Sequence, residues 1–295
     1  MVNKTASIPY RGRLAPSPTG RLHLGHARTF WTAFARAKAA QGTLVLRNED
    51  LDRDRARPEF VACFFEDLRW LGIEWTEGPD LGGPWGPYSQ SERLPLYQQT
   101  LERLYAGGFL FPCTCSRRDI AHAIRAPHAL DDEPHYPGTC RPPHPAECPH
   151  PFAHVPSLTG ATARTAWRFR VPENQTIEFV DGHFGRQVFR PGRDFGDFVV
   201  WRPDQLPSYQ LACVVDDQAM RITEVVRGAD LLVSTARQLL LYQAMGWTAP
   251  RFYHCPLVTD PQGVRLAKRH EAMSLKALRE HGLTPERLRA EWNLE

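Results

Sequence analysis

The sequence predicts an α/β protein built on a parallel sheet, with a subdomain of different texture inserted in its middle. Three observations carry that prediction. A strand-like "YRGRLAPS", an amphipathic "LGHARTFWTAFARAKAAQG" and a strand-like "TLVLRNED" follow one another between Tyr10 and Asp50. Strand, helix and strand in so short a span form a βαβ unit, which requires parallel strands. From Phe111 to about Pro156 the chain loses all periodicity; "HYPGTCRPPHPAECPHPFAHVP" is crowded with Pro, His and Cys. Regular runs then return. The predicted division is 1–110 with 195–260 as the α/β domain, 111–194 as the insertion, and 261–295 as a basic loop with terminal helices.

The elements follow in order. In the first helix Ala27, Trp31, Phe34 and Lys38 are spaced as a buried stripe, and Gly42 stops it. "RPEFVACFFEDLRWLGI" predicts a helix with Pro58 in its first turn and Phe60, Phe64, Leu68 and Leu71 on one face. "SERLPLYQQTLERLYAGG" predicts another, with Leu94, Tyr97, Leu101 and Leu104 inward. Beyond the insertion, "TAWRFRV", "TIEFVD", "QVFRP", "DFVVWR", "YQLACVVDD" and "ITEVVRG" are strand-like. "ADLLVSTARQLLLYQAMG" is a strong helix ending at Gly246, "RFYHCPLVTD" a strand, and two short helices close the chain.

At 295 residues, 42% hydrophobic and 23% charged, the chain can bury a sizeable core. No apolar run approaches the roughly 18 residues that span a bilayer. "MVNKTASIPYRGR" lacks the apolar middle of a signal peptide. A cytoplasmic monomer without membrane contact is expected. The net charge of +3 is mild, but "RLAKRH" and "LREHGLTPERLRAEW" concentrate basic residues where a polyanion could bind. Of seven cysteines, Cys63, Cys213 and Cys255 sit in apolar or strand-like contexts as small buried hydrophobes. Cys113, Cys115, Cys140 and Cys148 cluster in the insertion, which in a reducing compartment points to metal rather than disulfides.

The chemistry concentrates in "RLAPSPTGRLHLGHART", Arg13 to Thr29. Pro16, Pro18 and Gly20 forbid a helix through its first half. His23 and His26 then stand around Gly25 at the mouth of the helix. A helix N-terminus directly after a parallel strand binds anions through its unpaired N–H groups and its dipole. Both histidines can donate to phosphate oxygens, and Gly25 lets a planar ring approach the backbone.

"APSPTG", "LHLGH", "ART" and "LRNED" together resemble the class I aminoacyl-tRNA synthetases, in their glutamyl and glutaminyl branch. "PSYQLACVVDD" (207–217) resembles that branch's amino-acid-pocket strand, and "ITEVVRGADLLVSTARQLLLYQAMG" (222–246) the segment lining and backing the pocket. "RLAKR" (265–269) stands where the second class signature, a lysine loop over the triphosphate, belongs. The resemblance covers nearly the whole chain and implies a Rossmann-type nucleotide-binding fold. It implies an L-glutamate pocket of Arg13, Leu14, Ala15, Pro16, Ser17, Glu49, Tyr209 and Arg227, with Glu49 paired to the α-ammonium. It implies ATP, with Mg²⁺, held by His23, Gly25, His26 and Lys268, of which His23, His26 and Lys268 serve catalysis. A guanidinium suits this substrate because it grips a carboxylate through two parallel hydrogen bonds. Taken alone, Arg227 fits equally well an ion pair with Asp230. Arg265, Ala267 and Ala229 depart from the branch's pattern.

In the insertion, "CTC" and "HYPGTC" supply three thiols, and tetrahedral zinc needs four ligands. Spacing alone leaves Cys148, His135 or His144 as the fourth. The resemblance implies Cys113, Cys115, Tyr136 and Cys140, one zinc per chain. The sequence ends 26 residues after Arg269, without the helical body that reads an anticodon in glutamyl-tRNA synthetases. It therefore resembles the shorter paralogous family, the glutamyl-Q tRNA(Asp) synthetases. For that family the expected acceptor is queuosine in tRNA(Asp). A discrete glutamyl-tRNA synthetase core that charges a 3′ end is one alternative. A non-catalytic, zinc-stapled RNA-binding module is another, and the charged groups retained in the pocket argue against it, since unpaired buried charge is costly.

Overall fold

The computed structural model describes residues 8–116, 136–143, 165–258 and 274–292. The first three elements are β1 (Arg11–Leu14), α1 (Leu24–Ala39) and β2 (Thr43–Leu46). β1 and β2 pair in parallel with Arg13 opposite Val45, as a βαβ unit requires. Gly42 makes the close return to β2 possible, because a Cβ there would stand 2.5 Å from the Tyr10 carbonyl oxygen. The buried stripe of α1 differs from the expected one. Ala27, Phe30, Ala33 and Ala37 are buried, whereas Lys38 is exposed. Both sets have helical spacing, and the alanines win because they let the helix lie close on the sheet. Trp31 and Phe34 pack at the flank of that core, where the Arg289 guanidinium stacks 4.7 Å from the Trp31 ring.

Next come α2 (Pro58–Trp70), opened by Pro58, and α3 (Leu94–Ala106). Phe64, Leu68 and Leu71 are buried on the first, and Tyr97, Leu101 and Leu104 on the second. Five strands follow: β3 (Leu110–Cys113), β4 (Ala166–Phe169), β5 (Ile177–Asp181), β6 (Gly185–Phe189) and β7 (Phe198–Trp201). β3, β4 and β7 make an antiparallel sheet in that order. Strand pairing thus runs across residue 195, from β4 to β7.

The stretch "YQLACVVDD", expected as a strand, is helix α4 (Tyr209–Ala219). Ser208 caps it by accepting from the Leu211 amide, the N-terminal signal that outweighs the β-branched Val214 and Val215. Its residues from Gln210 to Asp217 are all buried, so no polar face marked it as a helix. β8 (Glu224–Gly228) leads through a 3-10 turn at Ala229–Leu231 into α5 (Leu232–Met245), which ends on Gly246 at φ 65°. β9 (Arg251–Cys255), α6 (Leu275–Glu280) and α7 (Pro285–Glu291) complete the chain.

The second sheet has the order β6-β5-β9-β8, with β5, β9 and β8 parallel and β5–β6 a hairpin. β1 lies along β8: the Thr223 amide donates to the Arg11 carbonyl at 2.8 Å, and the Arg13 guanidinium to the Val226 carbonyl at 2.9 Å. The carboxyl ends of β1, β8 and β9 therefore gather on one side, where α1 begins. One core packs α3, α4 and α5 against the antiparallel sheet. Another packs α1, α2 and the terminal helices against β1 and β2. This is the α/β, Rossmann-type arrangement that the βαβ unit predicts. Among the described residues no helix is long and apolar enough to cross a membrane.

Candidate active site

A cavity of about 310 Å³ opens where those strand ends meet the start of α1. Ligands of open α/β sheets bind at this place, because loops diverge there and helix N-termini point inward. Arg13, Ala15, Pro16, Ser17, Glu49, Tyr209 and Arg227 line it, together with His23, Gly25 and His26. Leu14 is the exception among the expected pocket residues. It follows Arg13 on the strand, so its side chain points to the other face and is buried in the core of α1 and β2. Tyr209 is the first residue of α4 rather than part of a strand. Lys268, with Arg265 and Ala267, lies outside the described residues.

The phosphate-facing half is built by the first turn of α1. His23 is the N-cap, and its Nδ1 accepts from the Gly25 amide at 3.1 Å. The His23 amide in turn donates to Nδ1 of His26 at 3.4 Å. Each ring therefore uses Nδ1 as an acceptor, which assigns the proton of the neutral ring to Nε2. The two rings lie 3.9 Å apart between centroids. Gly25 is required for this packing: a Cβ there would come within 3.0 Å of the His23 ring. No acidic residue occupies the first turn, so the positive end of the helix dipole is not cancelled from within the helix.

The other half is charged and buried. Arg47, fully buried, follows β2 and bonds Glu49 at 2.9 Å and Asp217 at 2.6 Å, with Asp216 at 3.7 Å. Arg93 meets Asp216 at 2.6 Å, where Tyr97 and Gln90 also donate. Arg13 stands 3.5 Å from Asp217. Three guanidinium groups and three carboxylates thus neutralise one another beneath the cavity floor. Glu49 is doubly fixed, since its amide donates to the Pro16 carbonyl at 3.0 Å. Burial, then the neighbouring Glu49 carboxylate, pushes the Cys213 thiol well above its ordinary value, so it stays neutral.

Arg227 on β8 is held differently. It donates to Thr235 at 2.6 Å, to His254 Nε2 at 3.2 Å and to the Tyr209 hydroxyl at 3.4 Å. These partners replace the ion pair with Asp230 that the sequence left open. Cys213 and Cys255 are buried as expected, but Cys63 is only half-buried, with the Arg21 guanidinium 3.2 Å from its sulfur. The sequence reading did not single out Arg47, Arg93, Asp181, Asp216, Asp217, Thr235 or His254. The signal available for four of them was a charged residue within or ending an apolar run, in "LVLRNED" and "CVVDD", and a histidine within "RFYHCPL".

A second cluster lies in the insertion. The sulfurs of Cys113, Cys115 and Cys140 all lie within 4.8 Å of one another, and all three thiols are free. The Tyr136 hydroxyl is 3.6 Å from Cys113 Sγ and accepts from the Cys140 amide at 2.6 Å. Zinc–sulfur bonds of about 2.3 Å fit sulfurs at such separations, so these three thiols with the phenol oxygen form a set able to hold zinc. Cys148, His135 and His144 lie outside the described residues.

A neutralised cavity at the end of a parallel sheet, with two imidazoles at a helix mouth, defines a nucleotide-dependent enzyme of the class I synthetase type. The chain matches the family "tRNA synthetases class I (E and Q), catalytic domain" over residues 10–293. It is 50% identical over 278 residues to a glutamyl-Q tRNA(Asp) synthetase of Symbiobacterium thermophilum, covering 93% of this chain and 83% of that protein. It is 47% identical to a glutamyl-Q tRNA(Asp) synthetase of Nitratidesulfovibrio vulgaris, covering 92% and 82%. The chain belongs to the glutamyl-Q tRNA(Asp) synthetase family. Among solved structures, a glutamate-tRNA synthetase from Elizabethkingia anophelis superposes with a TM-score of 0.75 at 31% identity, over 89% of this chain and 53% of that one.

The ion lattice makes a direct prediction. Arg47→Met leaves Glu49, Asp216 and Asp217 with too few countercharges, and breaking a buried pair in this way costs about 3–5 kcal/mol. Urea unfolding should show a loss of that size; a loss under about 1 kcal/mol contradicts the described network.

Proposed function

We propose that this chain activates L-glutamate with ATP, without needing tRNA, and passes the glutamyl group to queuosine at the wobble position of tRNA(Asp). The observation that carries the reading is one cavity that two buried guanidinium groups, Arg13 and Arg227, share with the buried carboxylate of Glu49, with Asp230 also on its lining. That charge pattern complements an amino acid with two carboxylates and one ammonium. The choice of acceptor rests on relatives named glutamyl-Q tRNA(Asp) synthetase, of whose length this chain covers more than four-fifths.

In this reading Arg13 and Arg227 hold the carboxylates, Glu49 receives the α-ammonium, and Ser17 and Tyr209 add hydroxyls. Ala15 and Pro16 shape the turn that carries them. An oxygen of the glutamate α-carboxylate attacks the α-phosphorus of ATP, the bond to pyrophosphate breaks, and glutamyl adenylate remains. No side chain acts as a nucleophile. His23 and His26 donate to the phosphates beside the amides of α1, and Gly25 gives the rings their place. Lys268 and the Mg²⁺ that accompanies ATP serve the far side. Such catalysis is positioning plus neutralisation of developing charge. A hydroxyl of the RNA then takes the acyl group and AMP leaves.

We assign the nucleotide chemistry to residues 1–110 and 195–260, the cysteine cluster to 111–194, and closure over the phosphates to 261–295. Cys113, Cys115, Tyr136 and Cys140 hold one zinc, which staples a proline-rich segment that has little apolar core of its own. The protein works as a cytoplasmic monomer.

Two measurements test this reading. With ATP and labelled glutamate, tRNA(Asp) ending in 2′,3′-dideoxyadenosine, which has no 3′-terminal acceptor hydroxyl, should be labelled when it carries queuosine and unlabelled when it lacks queuosine. Labelling of tRNA(Glu) instead would sink the assignment of the acceptor. Metal analysis should find about one zinc per chain, lost in Cys113→Ser; a well-ordered metal-free protein contradicts the staple.

A further inference from the structure

The three hydrogen-bond partners of Arg227 are all neutral groups, unlike those of Arg47 and Arg93, which meet carboxylates. Behind one of those partners stands a negative charge at one remove. His254, fully buried on β9, has Nδ1 at 2.6 Å from Asp181 Oδ2. Asp181 ends β5, and its Oδ1 is already fixed by the amides of His183 and Phe184, both at 2.9 Å. One oxygen of the carboxylate thus serves the turn, and the other serves both the ring and the backbone amide of His254, the latter at 3.1 Å. The carboxylate imposes the tautomer with the proton on Nδ1, which leaves Nε2 a pure acceptor facing the Arg227 Nε–H. Thr235 accepts on the same edge from the other nitrogen, and its own hydroxyl proton has two acceptors in reach, His254 Nε2 at 3.0 Å and the Leu231 carbonyl at 3.1 Å. One edge of the guanidinium is thus clamped by two neutral acceptors, and its remaining nitrogen is directed toward Tyr209 and the cavity.

We propose that Asp181 and His254 are positioning residues for substrate selection: they orient Arg227 through neutral acceptors, so that its charge is left for the side-chain or α-carboxylate of glutamate and not spent on a protein carboxylate. An arginine whose charge is balanced by an adjacent aspartate discriminates less between a carboxylate and an uncharged amide. Here glutamine cannot supply the anion that Arg227 lacks. Burial, and then the Arg227 charge, lowers His254 to about 4, which keeps the ring neutral at physiological pH. The inference rests on the reading of Arg227 as a glutamate contact.

Asp181→Asn is the sharpest variant, because it is isosteric and its Oδ1 can keep the turn. Its amide NH₂ would donate to Nδ1 and drive the proton to Nε2, setting two donors against each other at Arg227. In tRNA-free ATP–pyrophosphate exchange, KM for glutamate should rise about tenfold, the scale of a lost hydrogen bond to a charged group, with KM for ATP and the melting temperature nearly unchanged. His254→Leu should raise KM for glutamate likewise, with a lowered melting temperature because buried Asp181 loses a partner, and His254→Gln, which can accept from Arg227 and donate to Asp181, should restore near-normal KM. The preference for glutamate over glutamine should narrow in Asp181→Asn and His254→Leu. Ring ¹⁵N spectra of the unaltered protein at neutral pH should show His254 protonated on Nδ1 only. Glutamate KM unchanged in folded Asp181→Asn, or a ring protonated on Nε2, overturns the inference. Arg227→Ala separates the two failures. If it leaves glutamate KM unchanged, the pocket reading itself falls; if it raises KM while Asp181→Asn does not, only the positioning role falls.

Discussion

Everything at this site depends on how Arg47 is neutralised. A fully buried guanidinium is tolerable only where carboxylates meet it at hydrogen-bond distance. Arg47 meets them from its own loop, through Glu49, and from α4, through Asp216 and Asp217. Arg93 at the start of α3 completes the set. The parallel β1–β2 unit, the helices α3 and α4 and the cavity floor are thereby joined by charge, not by apolar packing alone. The arrangement fixes Glu49 and Arg13 while leaving them at the cavity surface, where a zwitterionic substrate can meet them already oriented.

The contrast with Arg227 gives the cavity its polarity. The charges under the floor are balanced within the protein. Arg227 is instead held by a hydroxyl on one helix, a hydroxyl at the start of another and an imidazole. Beside it, the first turn of α1 adds amide hydrogens, a dipole that no acidic residue of that turn opposes, and two rings whose tautomers are set by backbone amides. Adenylate formation asks for little more than this: anions brought together and their repulsion screened.

Much of this was legible in the sequence. The βαβ unit followed from periodicity and turn residues, and "RLAPSPTGRLHLGHART" marked the cavity because prolines and glycines left no ordinary helix or strand to explain it. Arg13, Glu49 and Arg227 do line one cavity. What escaped was set by burial on all sides. α4 reads as a strand because it lacks a polar face, and Leu14 reads as part of the pocket motif although strand alternation turns it inward. Trp31 and Phe34 outranked the alanines of α1 by size, yet close approach to the sheet selects small residues. The lattice around Arg47 and the His254–Asp181 pair join residues far apart in sequence, so no local pattern could announce them. The thiol cluster was announced by its residues, and its fourth member was left open because spacing cannot distinguish a phenol from another thiol or an imidazole.

The central claim is that the charge arrangement of this cavity is built for glutamate beside a nucleotide. The most direct measurement is a crystal structure with L-glutamate and a non-hydrolysable ATP analogue bound. The account predicts the α-ammonium within about 3 Å of Glu49 and carboxylate oxygens within the same reach of Arg13 and Arg227, with the phosphates at the first turn of α1 beside His23 and His26. Glutamate bound elsewhere, or in this cavity with its carboxylates turned away from both guanidinium groups, would contradict it.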